Sequence, residues 1–194
     1  MDAIVSRWEW RTFAQEIETP VALARFWRIR RAESAETHLF TGTSVDNPKI
    51  RNHTIDVKHL LQIDAAGLEQ WAPVLKAAFP LTVDELTPVF RALGLDAPPA
   101  PGGCDLKRFL QIVEDNDRIH AASVHKVRDL FDVNGCAVEA SAVTVEGEAF
   151  RTLAVESPDP VKVREAVASL GLWGRENVSY VKAMQRIEAG RRLV

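Results

Sequence analysis

Between residues 117 and 156 charged and apolar side chains alternate so regularly that a helix is excluded. Arg118, His120, Lys126 and Arg128 share one parity, and Ile119, Val127, Phe131 and Val133 share the other. A period of two is the signature of a strand, and it gathers these cations on one face. Asn134-Gly135 then supplies a tight hairpin turn, because both central positions of a type I′ turn need positive φ. Two more strands follow, Cys136 to Val145 and Ala149 to Glu156, joined across Glu146-Gly147-Glu148. Glu139, Ser141, Thr152 and Glu156 fall on their polar face, and Val138, Leu153 and Val155 on the other.

The same design recurs upstream. From Ile4 to Phe13, Arg7, Glu9 and Arg11 alternate with Trp8, Trp10 and Thr12. Burying two indoles on one face stabilises such a sheet by several kcal/mol, at roughly 25 cal/mol per Å². Thr37 to Thr43 reads as a second strand, and Lys49 to Gln62 as a hairpin turning near Asn52-His53. In that hairpin Lys49 and Arg51 oppose Ile50, while Asp56 and Lys58 oppose Ile55, Val57 and Leu61.

Helices are expected between these strands. Thr19-Pro20 opens one through Trp27, followed by Arg28, Arg30 and Arg31 as a solvated edge. Leu68, Trp71, Val74 and Leu75 have helical spacing over 67–78, with Pro73 inside. Thr82 and Glu85 form a capping box for a helix to Leu93, and a Pro/Gly loop occupies 97–103. Further helices are predicted from Leu106 to Val113, from Pro160 to Leu170 with Gly171 as its cap, and from Asn177 to Glu188.

At 194 residues, with 46% hydrophobic and 26% charged side chains, the chain suits one soluble domain spanning 1–194. A net charge of -3 argues against nucleic acid as a partner. There is no signal-peptide pattern, and no apolar run approaches the roughly 18 residues of a membrane span. Cys104 and Cys136 form no disulfide framework, so a cytoplasmic setting is expected. The histidines have no zinc-ligand spacing, and neither a phosphate loop nor a Gly-x-Ser-x-Gly nucleophile frame is present.

One face of nearly every expected strand is thus charged and the other apolar. Two architectures satisfy this: a half-open sheet with a wet charged face, or a closed antiparallel β-barrel with a polar lumen and amphipathic helices outside. The second is an α+β fold of tunnel type. A lumen crowded with cations is costly unless an anion neutralises it. The partner to expect there is a small phosphate-rich anion.

The order of motifs resembles the CYTH superfamily, the triphosphate tunnel enzymes. Its opening Glu-x-Glu-x-Lys strand is matched by Arg7-Trp8-Glu9-Trp10-Arg11, and its basic strand pair by Lys49-Ile50-Arg51 and Asp56-Val57-Lys58. Its Lys-x-Arg strand is matched by Lys126-Val127-Arg128, its Glu-x-Glu strand by Ala154-Val155-Glu156, and its closing Ser-Tyr by Ser179-Tyr180. The resemblance implies a triphosphate compound bound, and hydrolysed or cyclised, in a cationic β-tunnel. Arg11, Lys49, Arg51, Lys58, Arg118, Lys126 and Arg128 would contact the phosphates, and Glu9, Glu139 and Glu156 would hold Mg or Mn. The chain departs from the pattern at Arg7 and Ala154, where the family has glutamates. That favours an alternative, a phosphate-binding module that has lost part of its metal site and its catalysis.

Overall fold

Local turn chemistry fixes the hairpins. Asn52 and His53, at φ 49° and 57°, link β3 (Asn47–Arg51) to β4 (Thr54–Ile63). Asn134 and Gly135, at 55° and 80°, link β6 (His120–Val133) to β7 (Cys136–Val145). Glu146 and Gly147, at 47° and 88°, link β7 to β8 (Glu148–Ser157). Positive φ at both central residues matches the right-handed twist of the flanking strands. The remaining strands are β1 (Arg7–Ala14), β2 (Arg28–Phe40) and β5 (Glu69–Ala78). The computed structural model describes residues 5–17, 23, 26–96 and 102–193, and its strands close into one antiparallel barrel in the order β1-β5-β4-β3-β2-β6-β7-β8. Among the described residues four helices pack around it: α1 (Val83–Ala92), α2 (Leu106–Glu114), α3 (Pro160–Ser169) and α4 (Tyr180–Glu188). The closed barrel with external helices is the second of the two architectures expected from the sequence.

The apolar face of the strands points outward, beneath helices. Ile50, Ile55, Val57 and Ala77 pack under Leu86, Phe90 and Leu93 of the α1 region and under Phe109 and Val113 of α2. On the opposite side Trp10, Val138, Leu153 and Val155 pack under Val163, Ala166 and Val167 of α3. The Thr82–Glu85 capping box is formed in full, which fixes the start of α1 against this sheet.

A third apolar cluster is different, because its strand residues share parity with the inward charges. Phe13 follows Arg11 on the inward face of β1, Val143 follows Ser141 on β7, and Phe150 precedes Thr152 on β8. With Phe40 and Val124 they pack against Tyr180, Val181 and Met184 of α4. The inward face therefore changes from charged to apolar along the barrel axis, and α4 stops up the apolar end.

Three expectations are corrected. The segment 67–78 holds β5, from Glu69 onward, and not a helix. Val74 is an extra residue of β5, a bulge opposite the step from Val57 to Lys58, so Trp71, Val74 and Leu75 mimic helical spacing, and Pro73 sits opposite Lys58 beside that bulge, where proline is tolerated. The second strand begins at Arg28, well before Thr37, so the exposed Arg28, Arg30 and Arg31 belong to β2. Leu61, assigned to the buried side of β4, is the extra residue of a bulge between Leu60 and Gln62 and is 47% exposed. The helix expected from Thr19-Pro20 lies largely outside the described residues, as does most of the 97–103 loop.

Candidate functional site

Inside the barrel, Glu9 and Arg11 from β1, Lys49 from β3, Lys58 from β4, Lys126 and Arg128 from β6, Glu139 from β7 and Glu156 from β8 line one cavity of about 110 Å³ with Trp71, Ser179 and Tyr180. Arg128 also lines a wider cavity of about 360 Å³ with Arg30, Ser34, Arg51, Asp56 and Lys76, which forms the charged mouth. Nine of the ten residues singled out for binding or metal thus lie in the lumen or its mouth.

Arg118 is the tenth, and the structure does not bring it there. It is exposed in the turn before β6, with its backbone N–H donating to Asn116 Oδ1. Shared parity is not shared position: eight residues separate it from Lys126, roughly 26 Å of strand. His120, of the same parity, lies at the apolar end, stacked on Phe40 and paired with Glu188.

The innermost ionic group is one that the sequence does not advertise. The Glu36 side chain is fully buried, and Lys126 Nζ donates to it at 2.7 Å, Lys49 Nζ at 3.3 Å and Arg51 Nη1 at 3.4 Å. His38 Nε2 lies 3.1 Å from the same carboxylate. Burial raises the Glu36 pKa, but the bond from His38 and the charges of Lys126 and Lys49 outweigh it and hold the group far below the usual carboxylate range. One carboxylate cannot fully serve three cations. Burial, followed by repulsion from Lys49, pushes Lys126 down to about 7 even though it pairs with Glu36. His38 is pushed down to about 3 by burial and then by Lys126, so it is neutral.

The depressed lysine gives a signed expectation. Between pH 7 and 10.5 the unfolded chain holds a proton at Lys126 that the native state has lost, so this group makes stability rise with pH across that window. Urea titrations from pH 7.5 to 9.5 should show the rise, and Lys126→Met should flatten it. Equal slopes in both proteins would refute the assignment.

The carboxylates on the other wall are arranged by register. Glu9 stands opposite Glu156, while Arg11, Ala154 and Glu139 form the next row across β1, β8 and β7. Ala154 leaves room above itself, and Arg11 spans it: Nε donates to Glu9 Oε1 at 2.7 Å and Nη1 to Glu139 Oε1 at 3.2 Å. Lys58 Nζ sits 3.8 Å from Glu9 and 3.9 Å from Glu156. Arg11 and Lys58 together overcome the cost of burying Glu9 and bring its carboxyl down to about 2, whereas burial and the adjacent Glu9 push Glu156 up. Among the described residues no three His, Cys, Asp or Glu side chains converge as a metal set. Glu139 is turned to Arg11 and Ser141, which leaves Glu9 and Glu156 as adjacent carboxylates.

Tyr180 forms the floor. β1 pairs with β5 only from Arg7 to Glu9; beyond that, Arg11 N–H donates to Asn177 Oδ1 at 2.7 Å and Val178 N–H to Arg11 O at 2.6 Å. The segment before α4 thereby enters where the two strands part. Gln185 donates to the carbonyls of Thr41 and Ser44, tying α4 across the barrel end. Lys126 Nζ lies 3.6 Å from the Tyr180 ring centre and Arg11 Cζ 4.8 Å, while Phe13 meets the ring edge-on. Three buried donor atoms among the residues of this wall, Trp71 Nε1, Arg128 Nε and Tyr180 Oη, have no partner among the described residues.

No protein-family profile and no curated protein sequence matches the chain. Solved structures do. A conserved hypothetical protein from Pyrococcus furiosus aligns over 91% of this chain and 98% of its own, at 16% identity and a TM-score of 0.52. A putative adenylyl cyclase from Hippeastrum, described as having a dominant triphosphatase activity, aligns over 97% of both chains at 13% identity and a TM-score of 0.53. A putative adenylate cyclase from Bacillus halodurans aligns over 94% of this chain and 98% of its own, at 9% identity and a TM-score of 0.50. At these identities the likeness is one of fold: the chain has the barrel architecture of these proteins, the fold that its resemblance to the CYTH superfamily implies.

Proposed function

We propose that the chain, as one domain over residues 1–194, binds the triphosphate group of a small compound inside its barrel. The observation that carries this is the convergence of Arg11, Lys49, Lys58, Lys126 and Arg128, from four strands, on one lumen, with Arg51 at its mouth. The lumen's own carboxylates offset much of that charge. What remains is a set of oriented donors, including Arg128 Nε, which has no partner among the described residues, that phosphate oxygens satisfy through charge-assisted hydrogen bonds. The triphosphatase activity stated for the Hippeastrum protein supports the ligand class. The two free, buried cysteines fit a reducing, cytoplasmic setting.

Thermal unfolding in the presence of inorganic triphosphate tests the binding. A ligand at 100 times its Kd, bound only to the native state, adds about 2.7 kcal/mol. An unchanged Tm at millimolar ligand would remove the proposal.

A second reading, metal-dependent hydrolysis or cyclisation of the bound triphosphate, is favoured by the adjacent Glu9 and Glu156. Magnesium commonly takes one or two carboxylates and completes its shell with phosphate oxygens and water, so this pair fits Mg or Mn held jointly with the ligand. The ion would neutralise charge developing in phosphoryl transfer. Arg11 orients Glu9 and Glu139, and Lys58 bridges Glu9 and Glu156. Release of phosphate or pyrophosphate from inorganic triphosphate, thiamine triphosphate and ATP, with magnesium or manganese, is the assay. Binding without turnover of any of them would leave the non-catalytic module.

A further inference from the structure

A cavity of about 360 Å³ opens on the outer wall of the barrel, beside α3. Its floor is apolar: Trp10 is 6% exposed, and Leu68 and Val167 are each 2% exposed. Its rim is charged, with Arg164 from α3 and Arg175 and Glu176 from the loop that leads to α4. Trp173, in the same loop, also lines it and is 66% exposed, an uncommon setting for an indole. Among the described residues neither Trp10 nor Trp173 stacks on another ring. The walls are braced by the protein's own bonds. Asp64 Oδ1 accepts the N–H groups of Ala66 and Leu68, and its Oδ2 accepts Arg164 Nη1 at 2.8 Å. Asn177 donates to Gly67 O at 2.7 Å and so ties the loop to that turn. Two of the three rim charges are neutralised, Arg164 by Asp64 and Glu176 by both arms of Arg186. Arg175 has no counter-ion among the described residues.

We propose that this cavity is a second binding site, for a small planar aromatic acid. The ring lies against Trp173 over the apolar floor, and the carboxylate is held at the rim by Arg175 and Arg164. The volume falls at the low end of small-molecule sites, roughly 300–1,000 Å³, which suits a ligand of two fused rings. The apolar floor gives a sugar or a bare anion nothing to satisfy its polar groups, so the ligand must carry an apolar body. The uncompensated charge of Arg175 selects an anionic ring over a cationic one. Arg164 spends one arm on Asp64, and the rest of its guanidinium remains to donate. The site is separate from the lumen: Trp10 packs outward under α3, while its neighbours Glu9 and Arg11 line the interior. Its occupancy does not depend on what the lumen binds.

Calorimetric titration of 2-naphthoate into the full chain tests it, with Trp173→Ala and Arg175→Gln as variants. Both residues are exposed, so both variants should melt at the native temperature. Native protein should bind one equivalent. Trp173→Ala should bind about tenfold more weakly, through loss of the aromatic contact and of the area it buries. Arg175→Gln should bind about threefold or more weakly, as befits an exposed charge. The cation 2-naphthylmethylammonium should bind the native protein far more weakly than 2-naphthoate, and so should cyclohexanecarboxylate, which has the charge without the planar ring. Saturating inorganic triphosphate should leave 2-naphthoate binding unchanged. Native protein that takes up no 2-naphthoate at millimolar concentration would overturn the site. So would native affinity in Trp173→Ala, or displacement by triphosphate, because either places the probe elsewhere. Equal binding of the ammonium compound would overturn the assignment of an acid.

Discussion

Replacing Glu36 by Gln should cost the fold about 3–5 kcal/mol, the range for removing one partner of a buried ion pair. The carboxylate is fully buried and is the shared acceptor of Lys126, Lys49 and Arg51. The amide keeps the shape and loses the charge, so the cations are left facing one another at close range. Lys126 suffers most, because it is almost wholly buried and its pKa is already lowered by burial and by Lys49. Urea unfolding at pH 7 measures the loss. The double variant Glu36→Gln/Lys126→Met should recover part of it, because it removes a cation together with its counter-ion. A loss below about 1 kcal/mol would show that the group is as well solvated as a surface pair.

Why Glu36 escapes a reading of the sequence has a physical answer. From Arg28 to Glu36 the strand is polar or small on both faces except at Ile29, and among the described residues no helix cluster covers its outer side, so there is no apolar alternation to detect. The signal starts at Leu39 and Phe40, which are buried, and the expected strand is cut short accordingly. The β6-β7-β8 meander is legible almost to the residue, because its turns are set by local φ requirements and its outer face is apolar where it lies under α3, at Val133, Val138, Leu153 and Val155. β5 is misread because an extra residue, Val74, breaks its alternation, and a bulge is defined by pairing with a neighbour that a single strand does not show.

The lumen residues are legible as a face but not as a place. Parity puts Arg118, His120, Lys126 and Arg128 together, yet only the last two reach the cavity, because the inward face turns apolar towards the other end. The departures from the family pattern also change meaning in three dimensions. Ala154 reads as a lost metal ligand, whereas in the barrel it is the gap across which Arg11 reaches Glu139.

Among the lumen cations, Arg128 should carry the largest share of ligand binding. Lys49, Lys126 and Arg51 share Glu36, and Arg11 is held between Glu9 and Glu139. Among the described residues Arg128 has only a 3.8 Å approach to Glu139 and a bond to Ser34 Oγ at 3.3 Å, and its Nε has no partner. It also stands where the inner cavity meets the mouth. Arg128→Ala should therefore weaken triphosphate binding by roughly 1.5–3 kcal/mol, the range for hydrogen bonds to charged groups. Lys58→Ala should cost less, about 1 kcal/mol, because that side chain is 38% exposed and already faces Glu9 and Glu156. Stability should hardly change in Arg128→Ala, since the ion pair it breaks is long. Arg31→Ala is the control, an exposed cation on β2 outside the lumen. Calorimetric titration of inorganic triphosphate into the three variants should rank them Arg128, Lys58, Arg31 in order of lost affinity. Equal affinities in all three would mean that the phosphate chain does not enter the barrel.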